Sequence, residues 1–189
     1  MKTSVETTPD ITLESPAELL SAVPYLVGYV PAESMVVIGL TDKQIGLTAC
    51  TPLPSADEPP GRIGVTAQVL RRNDVQAAVI VGYGPRERVA RSVDYMRGVL
   101  DEAGVDLVEA MRVAGGRYWS FTCPGANCCP AEGLPLHPER ATAVDAAFAV
   151  GGAQALPSRD AMLDRLSPVA GAARAAAIKA IRRAEKEQG

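Results

Sequence analysis

Apolar and polar residues follow two different periods along the first half of the chain. Residues 34–40 and 44–50 are rich in branched apolar side chains and are separated by "TDK", a pattern that predicts a β-hairpin. Apolar residues at helical spacing follow at 62–72. The unbroken apolar run at 76–84 ends in glycines, and it predicts a strand that is buried on both faces.

The next segment carries the clearest helix signal in the chain. Pro85 stands at its first turn, Gly104 closes it, and one face is formed by apolar residues, namely Val89, Val93, Met96 and Leu100. Two further strands are predicted at 105–113 and 117–123, joined by a tight turn. From there to the end of the chain the pattern predicts helices.

A helix is also predicted ahead of the hairpin. Ser15 is a capping residue, Pro16 fits the first helical position, and Glu18 can complete a capping box. Pro24 is expected to bend or stop this helix, because proline cannot donate the hydrogen bond of a helix interior.

Strands that alternate with helices predict an α/β fold with a mixed, partly parallel central sheet and helices packed against it. We expect a flexible N-terminus at residues 1–14 and an α/β domain at 15–150. A helical C-terminal segment is expected at 151–189, and its open end is compatible with continuation in a longer protein.

Composition narrows the function classes. Hydrophobic residues make up 47% of the chain, which excludes a largely disordered protein, and aromatic residues only 4%, so the core is built from Val, Leu, Ile and Ala. The net charge of −3 and the lack of a basic run give no nucleic-acid footprint. Acidic residues precede the apolar stretch 19–30 and Pro24 interrupts it, so neither a membrane span nor a signal peptide is predicted, and a cytoplasmic location is expected.

The cysteine-rich loop "FTCPGANCCPAEGLPLHP", residues 121–138, is the strongest chemical signal. It holds three of the four cysteines and the only histidine. Cys123, Cys128, Cys129 and His137 could supply the four ligands of a zinc site. Their spacing differs from that of standard zinc ribbons and fingers, so zinc is one interpretation among several.

Three other interpretations of this loop stay open. A cysteine thiolate could act as a nucleophile with His137 as its base, or Cys128 and Cys129 could form a redox-active disulfide. The cysteines could also be small buried or incidental groups in a loop stiffened by proline and glycine. We rank a rigid structural junction first, a ligand site second and a catalytic centre third.

The segment "VGYGPRER", residues 81–88, is a second candidate site. A buried strand, two glycines and a helix start often bind phosphate, and Gly82, Gly84, Arg86 and Arg88 would contribute to an anion or ligand site. The third glycine of a dinucleotide site and a Walker lysine are both missing. The alternative is that the glycines only turn the chain.

Trp119 is the only tryptophan, and it directly precedes the cysteine-rich loop. Strand alternation places Trp119 and Arg117 on one face and Tyr118 and Ser120 on the other. Trp119 could line a ligand pocket beside the loop. We favour the alternative that it anchors a core otherwise poor in aromatic residues.

The segments discussed above occur in an order that resembles a known family. "AELLSAVPYLVGYVPAESMVVIGL", "AAVIVGYG", "EAMRVAGGRYWSFTC", "CCPAEGLPL" and "LPSRDAML" resemble the motifs of an actinobacterial family catalogued as a domain of unknown function, over roughly residues 15–170. The resemblance implies one coherent α/β domain. It implies no established activity, substrate or catalytic residue.

Two functions remain as hypotheses. The favoured one is a module that binds a small molecule or a protein, with the cysteine-rich loop as a structural element and with self-association through the Ala-rich tail as an option. The alternative is an enzyme, dependent on a metal or a thiol, with its site between the "GYGP" turn and the loop; whether the chain is an enzyme is left open. A pocket that holds Gly84, Trp119 and the loop together would favour the enzyme.

Overall fold

The computed structural model describes residues 13, 15–55, 61–123, 125, 129–136, 138–168 and 170–188. The helices of this part of the chain are α1 (Pro16–Val27), α2 (Gly61–Arg72), α3 (Arg86–Ala103), α4 (Pro138–Val150), α5 (Arg159–Arg165) and α6 (Gly171–Gln188). Its strands are β1 (Ser34–Thr41), β2 (Gln44–Pro52), β3 (Ala77–Tyr83), β4 (Asp106–Ala114), β5 (Arg117–Ser120) and β6 (Leu134–Pro135).

The strands form one mixed sheet in the order β2-β1-β3-β4-β5-β6. The middle pair, β3 and β4, is parallel because α3 connects the two strands by a crossover, and the other pairs are antiparallel. The predicted α/β fold with a mixed, partly parallel sheet is confirmed. β6 was not predicted, since a strand of two residues has no detectable period.

Side chains of the central strands alternate between two apolar layers, one on each face of the sheet. α2 and α3 cover one face, where Met35, Val37 and Ile80 pack against helix residues such as Leu70 and Met96. The other face packs against α1; its buried residues are Leu20, Val23, Val36, Ile38, Val79, Val81 and Met111. Burial on both faces explains why these strands are almost continuously apolar in sequence.

The predicted capping box at the start of α1 is present. The Ser15 hydroxyl accepts from the Glu18 amide at 3.3 Å, and the Glu18 carboxylate accepts from the Ser15 amide at 3.2 Å. Pro24 was predicted to bend or stop α1; it lies inside the helix and does not stop it. The helix continues to Val27 and ends at Gly28, which has a positive φ of 84°.

The segment that follows the cysteine-rich loop is attached to α1. The Tyr25 ring stacks on Phe148 of α4 with 4.6 Å between centroids, and the Tyr25 hydroxyl donates to Asp145 at 2.7 Å. The Val30 amide donates to the Leu156 carbonyl at 2.9 Å, beyond Gly151. Residues on both sides of Gly151 thus contact α1 or the segment directly after it, and the predicted division of the chain near Gly151 stays a prediction.

The last helix has a different environment. From Gly171 to Lys186, every side chain of α6 is exposed, including Ile178 and Ile181. Among the helices that the structure describes, none is long and apolar enough to cross a membrane.

Candidate functional site

A pocket of about 360 Å³ lies where α3 begins, beside β4, β5 and the cysteine-rich loop. Its lining residues come from the start of α3, from β4 and from the stretch that leads from β5 into the cysteine-rich loop; they are Arg86, Arg112, Trp119, Ser120, Phe121, Cys123, Gly125, Cys129, Pro130 and Ala131. The pocket brings together four of the residues selected from the sequence, Arg86, Trp119, Cys123 and Cys129. It adds Arg112, which the sequence had not indicated.

Arg112 is held in place from two directions. It is the cross-strand partner of Trp119, and its guanidinium carbon lies 4.5 Å from the centroid of the Trp119 ring. Its Nε donates to the carbonyl of Gly84 at 2.8 Å. A guanidinium is planar, and the ring and the carbonyl fix its orientation, so its terminal N–H groups are directed to one place where they can bind a carboxylate or a phosphate.

No carboxylate of the described residues forms an ion pair with Arg112 or Arg86; the ion pair found there joins Arg88 to Glu33. Arg112 is half-buried and Arg86 is exposed. The pocket therefore contains two cationic side chains without a compensating acidic side chain from the described part of the protein.

Gly82 allows the start of α3 to pack close to the sheet beside the pocket. Gly82, Arg112 and Trp119 are consecutive register partners across β3, β4 and β5, so they form one row on the sheet. A Cβ on Gly82 would lie 2.3 Å from Val89 of α3, which means that Val89 occupies the space left by the glycine. The first turn of α3, with Arg86, is thereby brought close to the sheet.

Trp119 and Arg117 attach the cysteine-rich loop to β5. The Trp119 Nε1 donates to the carbonyl of Ala131 at 2.9 Å, and the Arg117 guanidinium donates to the carbonyls of Glu132 and Gly133 at 2.7 and 2.9 Å. Gly133 has a φ of 79°, and a Cβ there would lie 2.5 Å from the Trp119 ring. Trp119 is half-buried, so the favoured interpretation of this residue as a core anchor is wrong; it forms the wall of the pocket.

Glu109 anchors the start of the loop, and the sequence had not indicated this residue either. Its carboxylate accepts hydrogen bonds from the Ser120 hydroxyl at 2.8 Å and from the Thr122 hydroxyl. The Ser120 hydroxyl in turn accepts from the amides of Thr122 and Cys123 at 3.1 and 2.9 Å. Ser120 uses its donor and both acceptor positions within the protein, and it thereby links Glu109 to the backbone at the start of the loop.

The cysteines are in different states. Cys123 is disulfide-bonded, whereas Cys50 and Cys129 are free thiols, so the disulfide between Cys128 and Cys129 is not formed in this structure. Cys128 and His137 lie outside the described residues. In the described part of the chain, no group of three or more His, Cys, Asp or Glu side chains could hold a metal ion. Zinc binding by the four candidate ligands therefore stays a prediction.

The glycine-rich turn is only partly directed at the pocket. The Arg88 guanidinium donates to the Glu33 carboxylate and to the carbonyls of Leu53 and Pro54, so it is engaged away from the pocket. Gly84 has a φ of 149°, and its carbonyl accepts from Arg112. Of the proposed anion-binding arginines, Arg86 is the one that lines the pocket.

A second cavity, of about 470 Å³, lies at the other face of the sheet, between α1 and the ends of β3 and β4. Its lining includes Leu20, Tyr83, Gly84 and Val113 and is mostly apolar. Burial raises the pKa of Tyr83 far above its usual value, and the neighbouring Cys50 raises it further. Burial also raises the pKa of Tyr118, with smaller contributions from Cys129 and Glu109.

Comparison with known proteins identifies the family. A family model described as "Domain of unknown function (DUF4192)" matches residues 16–189. No curated protein matches the chain. Because the family model covers nearly the whole sequence, the chain belongs to this family.

Proposed function

The chain belongs to the DUF4192 family, whose description assigns no function. We propose that this chain is a binding module for a small molecule that carries a carboxylate or a phosphate. The oxyanion is bound by Arg112 and Arg86 in the pocket beside the cysteine-rich loop. The observation that carries the proposal is the Arg112 guanidinium, which is held by the Gly84 carbonyl and the Trp119 ring and has no acidic partner among the described residues.

The physical reason is the cost of burying charge. A half-buried guanidinium is stabilised when its remaining N–H groups bind an anion, and a planar oxyanion can accept two parallel hydrogen bonds from it. Arg86 is exposed at the rim of the pocket, so its side chain is free to change its conformation and bind the same anion. The volume of about 360 Å³ is within the range of small-molecule sites.

The loop supplies a fixed wall in this proposal. Hydrogen bonds from Arg117 and Trp119 hold its backbone at residues 131–133, and Phe121 adds an apolar side. The ligand that fits best therefore combines an oxyanion with a compact apolar body.

The single tryptophan gives a direct test. Because Trp119 lines the pocket and is the only tryptophan, its fluorescence reports occupancy at this site. We expect benzoate or phenyl phosphate to change the fluorescence saturably, and neutral benzamide to have no such effect. The Arg112→Gln variant should lose at least about tenfold in affinity, as expected for a lost charged hydrogen bond.

Arg97→Gln is the matched control, since Arg97 is an exposed arginine on the same helix as Arg86 and lies outside the pocket. Affinities of the variants are measured by calorimetry, because Arg112→Gln also changes the surroundings of the tryptophan. Equal binding of benzamide and benzoate, or an unchanged affinity in Arg112→Gln, contradicts the proposal. The proposal is also contradicted if neither benzoate nor phenyl phosphate binds saturably.

An enzyme is the second candidate. It is favoured by the convergence of Arg86, Trp119 and the free thiol of Cys129 on one pocket, next to Gly84. In the reducing cytoplasm proposed for this protein, Cys123 would be a thiol and could join Cys128, Cys129 and His137 in a zinc site. Elemental analysis of protein purified under reducing conditions tests this, and less than one zinc per chain contradicts the zinc site.

A further inference from the structure

β2 forms one edge of the sheet. It runs over Gln44–Pro52, eight of these nine residues pair with β1, and no other strand of the described residues pairs with them. The strand "QIGLTACTP" has no charged residue, and Ile45 is 37% exposed. An edge strand of this kind presents a row of backbone N–H and C=O groups that can pair with another extended chain.

The opposite edge of the sheet is different. β6 has two residues, one of which is Pro135, and it lies within the cysteine-rich loop. A very short strand and a proline are common protections of a sheet edge. On β2 the register with β1 shifts at Gly46, close to the hairpin, and continues without a shift from Leu47 to Pro52. In the part of the chain that the structure describes, the segment Leu47–Thr51 is therefore the regular part of this edge that has no partner strand.

We infer that the β2 edge pairs, in antiparallel orientation, with the β2 edge of a second copy of the chain. An identical strand in antiparallel orientation gives a two-fold symmetric contact, in which each copy supplies the same surface. Because the strand is uncharged, no like charges face each other across the contact. The two sheets join into one continuous sheet, with its helices on the same two faces as in each copy.

The charge of the alternative surface supports this choice. α6 also exposes apolar residues, Ile178 and Ile181, but it contains five basic and two acidic residues. Two copies of α6 would bring net positive charge together, whereas two copies of β2 would not. The uncharged edge is therefore the better surface for self-association.

The test uses the full chain and measures its mass by light scattering over a range of concentrations. A dimer has twice the 19.8 kDa of one chain. Thr48 lies next to the centre of the segment Leu47–Thr51, so Thr48→Lys places one positive charge from each copy close together at the two-fold contact. Gln68→Lys makes the same change in charge on the exposed side of α2 and is the matched control.

We expect a dimer for the wild type and for Gln68→Lys, and a monomer for Thr48→Lys. A monomeric wild type at every concentration overturns the inference, and so does a dimer that Thr48→Lys leaves unchanged. Amide hydrogen exchange of the wild type gives a second measurement that does not depend on the folding of a variant. The outward-facing amides of residues 47–51, which are every second one, should exchange more slowly at high than at low concentration, and equal exchange overturns the inference.

Discussion

The guanidinium of Arg112 lies 4.5 Å from the centre of the Trp119 ring, and the two residues are register partners on neighbouring strands. The pair links the two parts of the protein that form the pocket, the sheet and the cysteine-rich loop. The Arg112 side chain donates a hydrogen bond to the carbonyl of Gly84, directly after β3, and the Trp119 side chain donates one to the carbonyl of Ala131 in the cysteine-rich loop. One contact between two side chains therefore connects the parallel centre of the sheet with the loop at its edge.

Trp119→Phe is expected to destabilise the protein by about 1–2 kcal/mol, because the variant loses the hydrogen bond to Ala131 and weakens the contact with the Arg112 guanidinium. The free energy of unfolding is measured by urea denaturation. Tyr95→Phe changes an exposed aromatic residue on α3, removes neither interaction and serves as the control. An unchanged stability of Trp119→Phe would contradict the structural role of the indole group.

Gly82→Ala is expected to cost about 1–3 kcal/mol of stability, because the added methyl group would overlap with Val89 and move α3 away from the sheet. Gly98→Ala is the matched control on α3. A Cβ at residue 98 meets no atom within 4 Å, so this variant should gain about 0.5–1 kcal/mol from its higher helix propensity. The two glycine substitutions should therefore shift the thermal unfolding midpoint in opposite directions.

Glu109→Ala is expected to destabilise the start of the cysteine-rich loop by about 1–3 kcal/mol, because the hydroxyls of Ser120 and Thr122 lose their acceptor. The free Cys129 thiol should then react faster with a thiol reagent than in the wild type. Asp106→Ala removes an exposed carboxylate at the start of the same strand and should leave the rate unchanged. Equal labelling rates in both variants would show that Glu109 does not hold the loop.

Stability is expected to fall as the pH rises from 10 towards 12, and Tyr29 contributes to this fall. Burial, followed by a hydrogen bond with Cys50, raises the pKa of Tyr29 from 10.0 to about 12. The unfolded chain therefore releases the proton first, so this contribution is complete below pH 10 and is lost as the pH rises through the folded pKa.

Tyr29→Phe should reduce the slope of the unfolding free energy against pH in this window, as measured by denaturation at several pH values. The pKa values of Tyr25, Tyr83 and Tyr118 are raised as well, so part of the slope should remain. An identical slope in the variant would mean that Tyr29 is not protected from ionisation in the folded protein.

The fold was largely predictable because its elements carry local signals. The strands β1 and β3 have nearly continuous apolar runs, and α3 has both an apolar face and an end signal at Gly104. Pro24 shows the limit of such signals. Packing of α1 on the sheet and on α4 outweighs the loss of one helical hydrogen bond, so the helix continues through the proline.

The candidate site was predictable only in part. Trp119 and the cysteine-rich loop stood out because they are rare residues in a short segment. Arg112 and Glu109 could not be recognised in the same way, because a charged residue on a strand is usually exposed to solvent. Their roles depend on partners across the sheet, Trp119 for Arg112 and Ser120 for Glu109, and such pairings follow from strand register, which one sequence does not provide.

The attachment of the loop at residues 131–133 has a consequence for the affinity of the proposed ligand. Ordering a loop around a ligand normally reduces the binding free energy, because the loop loses conformational entropy when the ligand enters. Here the bonds from Arg117 and Trp119 have already ordered that wall when the protein folds. The entropy is lost once, during folding, and a ligand that enters the pocket keeps most of the free energy of its own contacts.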